Sequence, residues 1–262
     1  MNRTLRLVLL LMLTAVFLFS GWKLAGELIH YQQGTGSYDA LSQYVSFDTT
    51  PPSTLPPASG DTAPTEPKPD VSRWPQVDFE ALRQVNPDVI GWIYIPDTNI
   101  NYPIVQGQDN DHYLHYLFDG TKNRAGSIFM DYRCDPYFFD QHTIIYGHHL
   151  KNKTMFSRLM RYKKQSFYDA HTEILLVTPD AYYALRVFSG YIANNRSSAW
   201  NLHMEEEEFA LWLEEIRQKS CFRTDYAPDP GDAVITLSTC TYEFNEAKFL
   251  IHAYVEQVIE KE

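Results

Sequence analysis

Cysteine is scarce in this 262-residue sequence, which has only three, with no CxxC pair and no Cys/His spacing of the kind that holds structural zinc. One disulfide is the most that can form, so a disulfide scaffold is excluded. Positive charge is short as well: 22 Lys and Arg stand against 33 Asp and Glu, a net charge of −11. That balance argues against a nucleic-acid partner, because neutralising phosphates takes a surface rich in Lys and Arg. Internal repeats are absent. What is present is a 44% hydrophobic and 15% aromatic chain, apolar enough for a real core and long enough for one or two domains.

The apolar residues are unevenly spread. Leu7 to Trp22 is almost wholly apolar, with Arg3 and Arg6 before it and Lys23 after it. Extended to Ile29, the stretch makes a helix of roughly 34 Å, enough for a bilayer core. Lys23 would snorkel toward the interface. No A-x-A cleavage pattern follows the run, so residues 1–30 read as a retained single-pass anchor rather than a signal peptide. The two arginines hold the N-terminus in the cytoplasm and place the rest of the chain outside the cell. Residues 31–75 read as an extracellular tether, rich in Ser, Thr, Gly, Asp and Pro. Seven of the 15 prolines fall between Pro51 and Pro69, and such a stretch cannot bury enough apolar area to fold.

Residues 76–262 are globular in composition. A short helix is expected over Val77 to Leu82 with Asp78 as N-cap, stopped by Asn86-Pro87-Asp88. Strands are expected over Val89 to Ile95, Ile100 to Val105, Gly126 to Met130, Thr143 to Tyr146, Glu173 to Thr178, Tyr182 to Ile192, Ala233 to Thr239 and Lys248 to Val258. Helical patterns cover Met155 to Met160 and, most clearly, Met204 to Lys219, which carries Phe209, Trp212, Leu213 and Ile216 on one face. The Glu205 to Glu208 run invites a metal reading, but acids in a first helical turn are explained by the positive end of the helix dipole. Many short strands with few helices predict a mainly β fold with peripheral helices, a barrel or sandwich.

Three features carry chemistry. Thr236-Leu237-Ser238-Thr239-Cys240 ends a strand on a thiol, a strong nucleophile where its thiolate is accessible and, taken alone, more often a small buried hydrophobe. Ile144-Ile145-Tyr146-Gly147-His148-His149 ends an apolar strand on imidazoles, which move protons near neutral pH. Lys248 opens the last strand, and a hairpin would bring its charge close to Cys240, where a cation can stabilise an oxyanion. Cys134 and Cys221 read as unpaired and not catalytic.

Together these residues resemble the class B sortases. The ordered series carries the likeness: Val77-Asp78-Phe79, Asn86-Pro87-Asp88-Val89-Ile90-Gly91-Trp92-Ile93, Tyr102-Pro103-Ile104-Val105-Gln106-Gly107, Asp109-Asn110 with Tyr113-Leu114, Gly126 to Tyr132, Tyr146-Gly147-His148, Met155-Phe156, and Thr236 to Cys240 with Tyr242-Glu243-Phe244. The helix at Met204 to Lys219, inserted before the penultimate strand, points to class B.

The resemblance implies an eight-stranded sortase-type barrel and a transpeptidase that cuts the C-terminal sorting signal of a secreted protein. Cys240 would form a thioacyl-enzyme, and an amine of a cell-wall precursor or a pilin would resolve it. His148 would shuttle the proton, and Asn110, Leu114, Tyr146 and Ser238 would line the signal-peptide groove. This acyl transfer needs no metal or organic cofactor. One departure stands out. The family carries an arginine on the last strand where this chain has Lys248, and no arginine follows Cys240. Arg196 and Arg223, upstream, compensate only if the fold brings them in. A lysine is a compact point charge without the planar fork of a guanidinium, so the resemblance also allows a low-activity or inactive relative that binds sorting-signal peptides.

Overall fold

A computed structural model of the chain describes residues 3–47 and 70–261. The seven prolines of the expected tether lie outside the described residues.

Eight strands close into a barrel: β3 (Val89–Tyr94), β4 (Asn101–Val105), β5 (Ile128–Met130), β6 (His142–Tyr146), β7 (Glu173–Val177), β8 (Ala181–Ala193), β9 (Val234–Cys240) and β10 (Lys248–Glu260). Their order around the barrel is β10-β8-β7-β3-β4-β5-β6-β9. The β4/β5 and β6/β9 pairs are parallel and the others antiparallel. Side chains alternate across each strand. Ile235, Leu237, Phe249 and Ile251 therefore fill the interior with Ile104, Ile128, Leu176 and Leu185. Thr236, Ser238 and Cys240 share the outer face with their β10 partners His252, Leu250 and Lys248.

The lower part of that outer face is covered by α5 (Glu206–Gln218). Phe209, Trp212, Leu213 and Ile216 recur at helical spacing and pack on Phe188, Val234 and Leu250. Glu206, Glu207 and Glu208 open the helix on its exposed side. Shorter helices are α2 (Phe79–Val85), α3 (His112–His115) and α4 (Gln165–Ala170). The Asp78 carboxylate caps α2, accepting from the Ala81 N–H at 2.9 Å. The helical pattern expected from Met155 is a 3-10 helix over Phe156–Lys163. Its buried residues Phe156, Leu159 and Tyr162 recur every third position, which matches three residues per turn rather than 3.6.

The N-terminal helix departs from expectation. α1 runs unbroken over Arg3–Ala40, ten residues past the expected end of the anchor, and its apolar part is long enough to cross a membrane. A 3-10 turn at Leu41–Tyr44 leads into β1 (Val45–Phe47), which pairs antiparallel with β2 (Pro75–Val77). The first part of the expected tether is thus ordered against the barrel. Glu27, Tyr31, Gly34, Tyr38 and Leu41, spaced 4, 3, 4 and 3 apart, form the contact stripe. The Tyr38 hydroxyl donates to the Gly126 carbonyl at 2.7 Å, and its ring meets Tyr102 edge-on at 5.3 Å. Gly34 and Gly36 weaken a free helix by about 1 kcal/mol each. Burial of Tyr38 and Leu41 outweighs that cost, which is why a segment with a loop's composition is helical here.

Candidate active site

The register of three strands assembles the site. β10 pairs Lys248 with Cys240, and parallel β6 pairs Tyr146 with Ser238. His148 therefore leaves β6 at the level where Cys240 ends β9, on the same face. The Gly147 N–H extends the ladder by donating to the Ser238 carbonyl at 3.0 Å, and the Thr239 hydroxyl donates to the Gly147 carbonyl at 2.8 Å. Cys240 is half-buried, and the Lys248 ammonium lies 3.0 Å from its sulfur. The loop between these two residues is pinned by Glu243, which pairs with Lys163 and accepts from the Thr241 hydroxyl.

The His148 imidazole is fixed by its Nε2–H, which donates to the Leu114 carbonyl at 2.8 Å. That bond leaves Nδ1 with a free lone pair. Burial lowers the His148 pKa below its ordinary value, and the nearby charges of His115 and Lys248 add to the effect. At pH 7 the ring is thus a neutral base. Two glycines give the backbone room around it. A Cβ on Gly147 would lie 2.5 Å from Ile128 and 2.6 Å from Phe156. At Gly126, where φ is +59°, a Cβ would meet the Tyr113 carbonyl at 2.6 Å and the His148 ring at 3.0 Å.

Beside the thiol, the Ser238 hydroxyl is buried without a hydrogen-bond partner among the described residues, and Tyr146 stacks at 6.2 Å on Trp200. Asn110 and Tyr146 meet at one carboxylate, that of fully buried Asp131. Asn110 donates to it at 3.0 Å, the Tyr146 hydroxyl at 2.9 Å, and Arg133 grips both its oxygens at 2.9 Å. Burial works to raise the Asp131 pKa, but the Arg133 fork and the other donors bring it below the ordinary value. The Asn110 carbonyl accepts the Tyr132 N–H, so both ends of this amide are engaged inside the protein. Leu114 contributes the carbonyl that holds His148. Arg196 and Arg223 do not contact the thiol; Gln165 engages the backbone of Arg223, and Lys248 is the cation at the sulfur.

The Sortase domain family matches residues 93–256. The chain belongs to the sortase family. It is 32% identical over 247 residues to sortase B of Staphylococcus aureus, covering 94% of this chain and 93% of that protein. It is 34% identical over 239 residues to sortase B of Listeria monocytogenes, covering 90% and 89%. Among solved structures, a Staphylococcus aureus sortase B–substrate complex superposes with a TM-score of 0.65 at 34% identity, over 70% of this chain and 85% of that one. The Bacillus anthracis sortase B complex with AAEK1 gives 0.70 at 31% identity, over 89% and 100%. The eight-stranded barrel and the class B likeness expected from the motifs both stand, and sortases are cysteine transpeptidases.

Sequence reasoning passed over several residues that hold the candidate site together. His149 donates from Nδ1 to the Cys240 carbonyl at 3.0 Å and so fixes the backbone of the thiol residue; its signal was the second histidine of Gly147-His148-His149. Asp131 and Arg133, which organise Asn110 and Tyr146, sit in a stretch already matched to the family but were not weighed as polar partners. The other two thiols stay free, and burial pushes that of Cys134 up to about 12.

Proposed function

We propose that this chain is a membrane-anchored transpeptidase that cleaves the C-terminal sorting signal of secreted proteins through a thioacyl-enzyme on Cys240. The acyl group then passes to an amine of a cell-wall precursor or a pilin. The observation that carries this reading is the 3.0 Å contact between the Lys248 ammonium and the Cys240 sulfur, at the strand end where His148 emerges.

The Cys240 sulfur attacks the scissile carbonyl carbon and its proton passes to His148, ready to accept because burial keeps the imidazole neutral. Lys248 stabilises the negative charge on sulfur and then on the tetrahedral oxygen. The C–N bond breaks as His148 returns its proton to the leaving amine. The incoming amine forms a new C–N bond, the C–S bond breaks, and His148 takes up the released proton. Tyr146, Ser238, Leu114 and Asn110 frame the signal peptide, with the unpaired Ser238 hydroxyl the group freest to bond its backbone. The layout that goes with this reading is an anchor with its N-terminus in the cytoplasm and an extracellular catalytic domain, with the first part of the expected spacer, through Phe47, ordered against the barrel.

The test is mass spectrometry of the chain mixed with sorting-signal peptides. A thioester adduct is expected, and Cys240→Ala removes it; a variant that still cleaves overturns the nucleophile. Product analysis with and without an added amine separates transfer from simple hydrolysis.

Lys248 itself favours a second reading, a sortase-fold protein that binds the signal with little turnover, because the family arginine is missing. Lys248→Arg decides between them. A large gain in cleavage supports impairment, whereas a loss establishes lysine as the working residue.

A further inference from the structure

Backbone groups from outside the barrel strands hold the His148 ring. The Leu114 carbonyl, in α3, accepts from Nε2 at 2.8 Å. Gly126, in the loop before β5, packs so closely that a Cβ there would lie 3.0 Å from the ring and 2.9 Å from that same carbonyl. The two segments are tied where the Ser127 N–H donates to the Tyr113 carbonyl at 2.8 Å. The ring is therefore only as well placed as this loop.

Tyr38, in the segment whose composition is that of a tether, holds the loop from its other side. Its hydroxyl donates to the Gly126 carbonyl at 2.7 Å and lies 3.1 Å from the Ser127 hydroxyl, which itself donates to the Tyr116 carbonyl at 2.9 Å. Among the described residues no other group donates to the Gly126 carbonyl. One turn earlier on α1, Gly34 sets how near the helix sits, since a Cβ there would lie 3.2 Å from that of Ala125.

We propose that Tyr38 is a positioning residue for His148: by holding Gly126 it fixes the loop that sets the depth and direction of the imidazole at the thiol. The proposal rests on the transpeptidase reading above and makes the docked end of α1 part of the working enzyme. A catalytic domain cut at residue 76 would lack it. Without the hydroxyl, the carbonyl of buried Gly126 has no donor, and a buried polar group left unpaired favours movement of the loop toward water. The ring then loses its fixed direction, and proton transfer, which depends on close placement, slows. The ring also gains hydration. Burial now keeps its pKa below the ordinary value, so hydration moves that pKa up. The other charged and titratable groups around the ring are His115 on α3, Lys248 on β10, neighbouring His149, and Glu27 with Arg124 in the cavity that His148 lines. Tyr38→Phe alters none of them, so a shift reads the loosened loop.

The experiment uses the full chain in detergent micelles and a sorting-signal peptide that the unaltered chain cleaves. Stopped-flow acylation rates are measured against peptide concentration and pH. Tyr38→Phe lowers the limiting rate about tenfold with the peptide KM unchanged, and it moves the acid limb of the profile to higher pH. Gly34→Leu, which pushes α1 away from Ala125, gives the same pair of changes. Tyr31→Phe, on the same contact stripe, gives neither. Circular dichroism confirms that each variant is folded, and Gly34→Leu decides alone if Tyr38→Phe is not. If the unaltered chain forms no thioester, the transpeptidase reading falls and takes this proposal with it. If the thioester forms and the variants keep both rate and acid limb, the positioning role alone is overturned. A rate that falls while the acid limb stays in place marks Tyr38 as support for the fold only and overturns the role as well.

Discussion

Two polar rows lie on the same face of β6, β9 and β10. The upper row is Cys240 and Lys248 with His148; the lower is Thr236 and His252 with His142. Both set an imidazole and a hydroxyl or thiol at one level of that face, yet only the upper row meets solvent. In the lower row His142, Thr236 and His252 have essentially no exposure, and α5 covers them with the Trp212 ring 4.5 Å from His142. Its hydrogen bonds run in one direction. His142 Nδ1–H donates to the Asn201 carbonyl at 2.7 Å, Thr236 donates to His142 Nε2 at 2.7 Å, and His252 Nδ1–H donates to Thr236 at 2.8 Å. Every proton in that chain is committed to structure. The upper row keeps a free His148 lone pair and a thiol held by a single cation. Similar residue types thus become a fastening or a reaction centre according to what covers them.

The largest effect comes from breaking the upper row. Lys248→Met removes the charge while keeping much of the side chain's length, and the acylation rate is expected to fall on the order of 100- to 1000-fold, as for loss of an oxyanion donor. Stopped-flow measurement of thioester formation reads it. A rate equal to that of the unaltered chain would leave the cation idle and the contact incidental.

Acid should break the lower row first. Burial lowers the His142 pKa to about 4. The His252 pKa lies well below its ordinary value, chiefly through burial and then through the His142 charge. The unfolded chain binds protons at these histidines from about pH 6.5 downward while the folded chain refuses them, so stability falls as pH drops. For His142 alone the loss between pH 7 and pH 4 is roughly 3 kcal/mol. Denaturant titrations across that range check it, and a His142→Gln variant should show a shallower slope. An unchanged slope would mean that His142 is not kept neutral by the fold.

How much of this was legible in the sequence depends on range. The eight strands were legible because each carries its own β-branched and aromatic run between turn residues. The upper row was legible because Cys240 and Lys248 flank one hairpin and His148 belongs to a known motif. The lower row was not: Thr236 and His252 face each other across the β9/β10 hairpin, but His142 lies more than 90 residues away along the chain, and only the parallel β6/β9 pairing brings it to Thr236. The docked part of α1 was hidden for another reason. Gly34, Gly36 and Ser37 have a linker's composition, and only the tertiary contacts of Tyr38 and Leu41 make that stretch a helix.

The smallest effect sharpens the comparison most. Thr236→Val keeps the shape of the side chain and removes the one hydroxyl that joins His142 to His252, leaving a buried Nε2 lone pair and a buried Nδ1–H without their shared partner. A buried polar group deprived of its bond costs about 1–3 kcal/mol, so the melting temperature should fall by several degrees. Four residues further along β9, about 13 Å at strand rise, Cys240 should keep its acylation rate at temperatures where the variant is folded. Stability lost with the rate retained would separate the two rows as independent devices on one face. A rate that falls with Thr236→Val would show that the lower row holds the strand end from which the thiol and the lysine act.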